Sequence, residues 1–134
     1  MRTSLTRAVR FAATHRLAWR DRPDADNRAE FGPLAEPHAH EYTCRVTVTG
    51  TPDPRSGMVM DLALLDRILA DEVTGPFAGR DLNAALAAGG QLPVCEVIAA
   101  EVFRRVARRL PAGVALAVVR IEEDPTLYAE CLGE

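Results

Sequence analysis

The clearest pattern in this chain is the run Pro37-His-Ala-His-Glu-Tyr-Thr-Cys-Arg-Val-Thr-Val-Thr-Gly50, in which side chains alternate between two parities of different character. One parity carries His38, His40, Tyr42, Cys44, Val46 and Val48, and the other carries Thr43, Arg45, Thr47 and Thr49. A period of two is typical of a half-buried β-strand. The turn Gly50-Thr-Pro-Asp-Pro54 ends the strand. The run therefore predicts a strand with one face on the core.

The stretch before it shows the same alternation. Residues on one parity are Leu5, Val9, Phe11, Ala13 and His15, which predicts another half-buried strand with His15 at or just past its end on the apolar face. Between the two strands lies a polar segment from about Arg20 to Pro37. A long loop inside a compact domain is usually functional or else disordered, and we expect such a loop here.

Two helices and two strands are predicted after the central strand. Asp61 is a plausible cap for an amphipathic helix from Leu62 to Leu69, which Gly75-Pro76 is expected to stop. A second helix is indicated from Val97 to Leu110, and apolar strands from Val114 to Ile121 and from Leu127 to Leu132, with Glu122–Thr126 between them. The order β-β-α-α-β-β predicts an α+β fold, with both helices on one face of an antiparallel sheet. We expect residues 1–134 to form a single domain.

Composition excludes several classes of function. The net charge of −3 and the pI of about 5.6 argue against a nucleic-acid partner. No stretch is long and apolar enough to span a bilayer, so no membrane partner is expected. Three widely spaced cysteines without a C-x-x-C pair fit a reducing compartment, and we expect the cytoplasm.

The three histidines form a candidate metal site. Residues two apart on a strand point the same way, so His38 and His40 present both imidazoles on one face. If the two strands pair, His15 supplies a third ligand. Three neutral imidazoles around an open fourth position make a catalytic zinc site. By spacing alone, the alternative of a chance H-x-H pair without a metal stays open.

Two motifs around these histidines resemble a known family. Phe11-Ala-Ala-Thr-His-Arg-Leu17 and Pro37-His-Ala-His-Glu-Tyr42 resemble F-x-A-x-H and H-G-H-x-Y of the 6-pyruvoyltetrahydropterin synthase / 6-carboxytetrahydropterin synthase family. Further similar segments are Gly57–Leu62, Arg80–Asn83 and Glu122–Thr126, in the family's order. The resemblance implies the T-fold, a β-β-α-α-β-β unit that assembles into a barrel. It implies a homo-oligomer, commonly a hexamer, with pterin sites at subunit interfaces.

The resemblance also implies roles for individual residues. His15, His38 and His40 match the family's Zn²⁺ ligands. Glu123 matches the residue that anchors the pterin, since a carboxylate can accept two parallel N–H bonds; the alternative is a solvated turn residue. Glu96 matches a second substrate-binding position, and the alternative is a first-turn helix charge favoured by the macrodipole.

The sequence departs from the family at the positions that move protons. Leu34 stands where the family has its catalytic Cys, and Ala78 and Gly79 stand where it has an Asp-His pair. Neither leucine, alanine nor glycine exchanges protons. The candidate substitutes are Glu36, Cys95 and, least favoured, Asp81; Glu36 is preferred because it lies two residues before His38. Cys44 is better explained as a small buried hydrophobe.

Two functions follow from the resemblance. The first is a zinc-dependent lyase that converts 7,8-dihydroneopterin triphosphate to 6-carboxy- or 6-pyruvoyl-tetrahydropterin or runs a related reaction, the carboxyl branch feeding deazapurine biosynthesis. Arginines between Arg16 and Arg28 would then contact the triphosphate. The second is an impaired homologue that binds zinc and a pterin-like ligand without the reaction.

Overall fold

The computed structural model describes residues 1–134, and a four-stranded antiparallel sheet of order β1-β2-β3-β4 forms its framework. The strands are β1 (Thr3–His15), β2 (His38–Gly50), β3 (Ala115–Asp124) and β4 (Leu127–Cys131). The α-helices are α1 (Asp24–Phe31), α2 (Leu62–Leu69), α3 (Gly75–Phe77), α4 (Leu82–Ala85) and α5 (Cys95–Ala107). Gly32–Ala35 and Ala87–Gly89 form 3₁₀ turns, and Ala70–Thr74 form a π-helical turn. No helix has the length and apolar character needed to cross a membrane.

One face of the sheet carries the core, and α2 and α5 contribute to that core from the same side, which confirms the predicted α+β architecture. The alternation in β2 is confirmed, because Tyr42, Cys44, Val46 and Val48 are fully buried. In β1 the burial deepens towards its end, where Phe11 stacks on Tyr42 with ring centroids 5.2 Å apart. The buried face of both strands therefore continues into the histidines, which lie at the end of β1 and at the start of β2.

The polar segment from Arg20 to Pro37 was predicted as a loop, and that prediction is wrong because it contains α1 and a 3₁₀ turn. Asp24 and Asp26 lie in the first turn of α1, where the helix dipole favours acidic groups. Asn27 is the only residue of α1 that is buried: its Oδ1 accepts from the N–H of Trp19 and its Nδ2 donates to the Trp19 carbonyl. Hydrogen bonds rather than an apolar stripe hold this helix, so periodicity did not reveal it.

The prediction that Gly75-Pro76 stops the first long helix is wrong. The chain continues through the π-helical turn into α3. Pro76 lies in the first turn of α3, directly after the π-helical turn. Gly75 is required by close approach, since a Cβ there would lie 2.8 Å from the carbonyl oxygen of Ala70.

The connection between the last two strands is shorter than predicted. Strand β3 extends to Asp124, so only Pro125 and Thr126 form the turn. The Asp124 carboxylate closes this turn by accepting from the N–H of Thr126 at 2.7 Å and from its hydroxyl at 2.6 Å. Glu123 is therefore a strand residue and not a turn residue, on the same parity as buried Ile121.

The free edge of β1 is covered next to its end. The N–H of Gly79 donates to the Ala12 carbonyl at 2.7 Å, and the N–H of Thr14 donates to the Arg80 carbonyl at 3.0 Å. These bonds satisfy backbone groups that an edge strand leaves open. They hold the end of β1, and with it His15, against the segment that leads into α4.

Candidate metal centre and its cavity

The pairing of β1 with β2 brings the three histidines together, as the sequence predicts. His15 lies directly opposite His38, and His40 lies opposite Ala13. One ligand atom of each histidine lies within 4.8 Å of the others. The ring centroids are separated by 4.5 Å between His15 and His38, 5.1 Å between His15 and His40, and 5.0 Å between His38 and His40. The cluster is compact enough to hold one metal ion.

Backbone carbonyls fix the tautomer of two of these rings. Nδ1 of His15 lies 2.8 Å from the Pro93 carbonyl, and Nδ1 of His38 lies 2.8 Å from the Glu36 carbonyl. A carbonyl has no proton to give, so Nδ1 donates in both contacts and Nε2 keeps its lone pair in the neutral ring. Burial lowers the pKa of His15, which favours the neutral form further. Second contacts of this kind orient metal-binding histidines in proteins.

The histidine nitrogens that have no hydrogen-bond partner are suited to bind a cation. Nε2 of His15 and Nε2 of His40 are buried without a hydrogen-bond partner. The carboxylate oxygen Oε1 of Glu123 lies 3.5 Å from the first and 3.4 Å from the second. Lone pairs that face a carboxylate repel it unless a proton or a metal ion lies among them. Three imidazole nitrogens with an open side suit Zn²⁺, and His15, His38 and His40 are the residues that could hold it.

A cavity of about 270 Å³ opens on the histidine cluster. Its walls are formed by His15, Leu17, Leu34, His38, His40, Val94, Cys95, Glu96, Glu123 and Leu127. Both predicted pterin-binding carboxylates, Glu96 and Glu123, therefore face the same space as the histidines. Glu96 also lies in the first turn of α5, where the helix macrodipole favours a carboxylate, so the alternative role stated for it remains open.

Cys95 is the only predicted proton-handling residue among the walls of this cavity. Burial raises the pKa of its thiol to about 11, and the charge of Glu123 contributes in the same direction. In the metal-free protein this thiol is therefore protonated at neutral pH. Cys44 is buried in the core, and burial raises its pKa to about 12, which agrees with its reading as a small hydrophobe.

Glu36 and Asp81 lie outside the cavity walls. The Glu36 side chain is 60% exposed and its carboxylate lies 3.6 Å from the Arg28 guanidinium, so only its backbone carbonyl serves the cluster. The Asp81 side chain caps α4 by accepting from the N–H of Asn83 at 3.0 Å. Leu34 does line the cavity, and by the resemblance it stands at the position predicted to lack the family's cysteine.

Sequence reasoning missed the residues that orient and enclose the cluster. Pro93 acts through its carbonyl, and no side-chain motif could have revealed that contact. Leu17, Val94 and Leu127 come from three separate segments and meet only in the folded chain. Tyr42 is the exception, because its parity with the histidines placed it on this face; its hydroxyl lies 3.4 Å from Nδ1 of His15, and burial raises its pKa.

Comparison with known proteins shows the family of this chain. The family model described as 6-pyruvoyl tetrahydropterin synthase matches residues 4–134. The 6-pyruvoyl tetrahydrobiopterin synthase of Homo sapiens is 31% identical over 123 residues, covering 90% of this chain and 85% of that protein. The Drosophila melanogaster protein of the same name is 29% identical over 124 residues, covering 90% of this chain and 74% of that protein.

Solved structures agree as well. The Caenorhabditis elegans 6-pyruvoyl tetrahydropterin synthase superposes with a TM-score of 0.88 at 28% identity, covering 100% of this chain and 97% of that one. The Plasmodium vivax enzyme gives 0.70 at 10% identity over 98% of this chain and 97% of that one, which shows the shared fold alone. The fold, the site and the match over nearly the whole length show that this chain belongs to the 6-pyruvoyl tetrahydropterin synthase family.

Proposed function

We propose that this protein is a zinc-dependent lyase that acts on the side chain of a reduced pterin. The observation that carries the proposal is the set of three histidine nitrogens within 4.8 Å of one another, with two buried Nε2 atoms unpartnered and facing an open cavity. Membership of the family supports a tetrahydropterin synthase-type function. The metal and the exact reaction are the parts that we infer.

Each wall residue has a task in this proposal. His15, His38 and His40 would hold Zn²⁺, which when bound supplies a Lewis acid that polarises an oxygen of the substrate side chain. Glu123 accepts N–H bonds from the 2-amino-pyrimidine edge of the pterin, and Glu96 supports binding from α5. The enclosing leucines and Val94 exclude water from the ring faces.

Few side chains in the cavity walls could transfer a proton to or from the substrate. Cys95 faces the cavity, and because the pKa of its thiol is raised to about 11 the thiol is protonated at neutral pH, so it can act only as a proton donor, and a weak one. Glu36 would have to leave Arg28 and turn inward to take part. We therefore propose Cys95 ahead of Glu36 as the residue that exchanges a proton with the side chain.

One observation favours the second function, zinc and pterin binding without the reaction. Leu34 occupies the cavity wall, and neither Ala78 nor Gly79 lines it, so the positions that move protons in the family are empty of titratable groups. General acid–base catalysis is typically worth about 10² to 10⁴ in rate, so its loss would leave slow turnover.

We also propose a homo-oligomer, with a hexameric barrel as the expected form. Both outer strands support this, because most of the β1 edge and the outer edge of β4 have no partner strand within the chain. Leu34 and Leu127 are about half exposed at the cavity, which suits a site completed at a subunit interface. The three free cysteines are compatible with the cytoplasm as the compartment.

The experiment is turnover by the zinc-loaded protein. Purified protein is incubated with 7,8-dihydroneopterin and, separately, with its triphosphate, and products are identified by mass. A changed side chain that disappears in Glu123→Gln and His40→Ala supports the enzyme, with Glu41→Gln as the matched carboxylate control, because Glu41 is exposed and lies outside the cavity walls. Pterin binding without any product supports the binding function, and absence of both binding and product refutes the proposal.

A further inference from the structure

We infer that Glu123 is a fourth ligand of the metal while no pterin is bound, and that binding of the pterin releases it. Glu123 is the carboxylate that anchors the pterin in the proposed function, so the inference rests on that proposal and deepens it. The observations that carry it are the distances from Glu123 to two of the histidines and the irregular register of β3 at this residue.

The Glu123 carboxylate lies where a fourth ligand is expected. Its Oε1 is 3.5 Å from Nε2 of His15 and 3.4 Å from Nε2 of His40. Zinc binds imidazole nitrogen and carboxylate oxygen at about 2.0–2.2 Å, so two ligands of a tetrahedral site are about 3.3–3.5 Å apart. Both separations therefore have the length of an edge of such a tetrahedron. The histidine atoms lie within 4.8 Å of one another, a wider spacing that metal binding would contract.

The two histidine nitrogens face this carboxylate without a proton of their own. Nε2 of His15 and Nε2 of His40 are buried and have no hydrogen-bond partner. In His15 the Nδ1 proton is directed to the Pro93 carbonyl, so Nε2 presents a lone pair in the neutral ring. A lone pair and a carboxylate oxygen repel each other at this distance. A divalent cation between these three atoms replaces the repulsion with attraction to each of them.

Glu123 lies in a β-bulge, and this leaves its carboxylate adjustable. Glu122 pairs with Tyr128 and Asp124 pairs with Leu127, so the register between β3 and β4 skips Glu123. A bulge leaves one residue unpaired and re-aims its side chain. The Glu123 side chain is 17% exposed and lines the cavity, so it faces inwards beside the space that a ligand would fill. Because its backbone is not part of the ladder with β4, the carboxylate can shift between the cluster and the cavity without breaking that ladder.

The metal and the pterin need this carboxylate in different orientations. To accept two parallel N–H bonds from the 2-amino-pyrimidine edge, both oxygens must face the ring. Oε1 then leaves its place between His15 and His40. Zinc sites closed by four protein ligands are typically structural, whereas catalytic sites have three ligands and an open position. Pterin binding therefore converts the closed site into the open one, and the fourth position becomes available when the pterin ring is bound.

Zinc affinity tests the fourth ligand directly. Competition with a chromogenic chelator is measured for the assembled wild type, Glu123→Gln and Glu41→Gln. We expect binding at least about tenfold weaker in Glu123→Gln, since even the loss of a residue that only orients a ligand costs about 10–100-fold. Glu41→Gln is the matched control, because Glu41 is exposed and lies outside the cavity walls, and it should keep the wild-type affinity. Equal affinities in the wild type and Glu123→Gln overturn the inference and leave the proposed function standing, whereas a wild type that binds no zinc refutes both.

The visible spectrum of the Co²⁺-substituted protein separates a metal bond from an effect of charge. A change of ligand alters the positions and intensities of the cobalt bands, because they depend on the coordination geometry. We expect the spectrum of Glu123→Gln to differ from that of the wild type. Identical spectra would show that Glu123 acts on the metal through its charge alone, and the inference would be wrong.

Unsubstituted pterin tests the release of Glu123, because it has the ring edge but no side chain that could reach the metal. Added to the Co²⁺-substituted wild type, it should shift the spectrum towards that of Glu123→Gln. Coupling between two ligands is reciprocal, so saturating pterin should also weaken zinc binding by the wild type about tenfold. Bound pterin that changes neither the spectrum nor the zinc affinity would show that Glu123 is not released.

Discussion

Asn83 holds both backbone groups of Arg16. Its Oδ1 accepts from the Arg16 N–H at 2.8 Å, and its Nδ2 donates to the Arg16 carbonyl at 2.9 Å. The side-chain amide thereby continues, for one residue, the hydrogen bonding of a strand that ends at His15. It ties α4 to the chain directly after the first histidine, and so it fixes the direction in which β1 ends.

Replacing Asn83 should loosen the metal site as well as the fold. In Asn83→Ala both bonds to Arg16 are lost, and we expect a loss of about 1–3 kcal/mol in the free energy of unfolding. Zinc affinity should fall about tenfold, because His15 is held less firmly. Chemical unfolding and competition with a chromogenic chelator measure the two quantities. Asn83→Asp keeps the acceptor and should be intermediate; a destabilised variant with full zinc affinity would show that Asn83 does not position His15.

Metal binding should depend on all three histidines. We expect about one Zn²⁺ per chain in the wild type, and its loss in His15→Ala, His38→Ala and His40→Ala, since each removes one of three ligands. Elemental analysis after dialysis measures the ratio. Glu36→Gln is the control, because Glu36 contributes only its backbone carbonyl to the cluster and should retain the metal. A histidine variant that still holds one tightly bound ion would contradict the ligand set.

The metal-free protein should lose stability as the pH falls below about 6.5. Burial lowers the pKa of His15, so in that range the unfolded chain binds a proton that the folded protein does not. Stability from this group is complete above the unfolded value and declines on acidification, by at most about 1.4 kcal/mol per pH unit. Urea unfolding at several pH values measures the slope. His15→Gln should reduce it; an equal slope in that variant would assign the effect to other groups.

The three cysteines should differ in their reaction with iodoacetamide. Cys131 is partly exposed and should be modified first. Cys95, whose pKa is raised to about 11, should react slowly at pH 8 and faster as the pH approaches that value. Cys44 is in the core and should react only after unfolding. Peptide mass mapping over time measures all three, and rapid alkylation of Cys95 at pH 7 would show that its thiol is activated.

Gly75 should be intolerant of a side chain. In Gly75→Ala the new Cβ would lie 2.8 Å from the Ala70 carbonyl oxygen, so the π-helical turn must shift, and we expect a loss of about 1–3 kcal/mol. The control is Gly89→Ala, where nothing lies within 4 Å of the added Cβ and no positive φ is required. Thermal unfolding of both variants measures the difference. Equal stabilities would mean that the turn adapts without cost.

The regular parts of this fold could be predicted because each has a pattern tied to burial. The alternation in β1 and β2 identified the strands and the buried face, and it also identified which face His38 and His40 share. Helix α1 could not be predicted in this way, since a buried amide and acidic residues at its start stabilise it. The extent of β3 was missed because its last residues are acidic, although Glu123 faces the cavity.

Local periodicity and motifs in the sequence were sufficient to predict the strand parity, the order of the four strands with α2 and α5, and the family. Through the resemblance, the sequence also predicts that proton-transferring residues are missing at Leu34, Ala78 and Gly79. That Cys95 faces the cavity while Glu36 pairs with Arg28, and that Pro93 orients His15, is visible only in the folded chain. Those relationships join segments far apart in the chain or depend on backbone groups, and packing alone sets their distances.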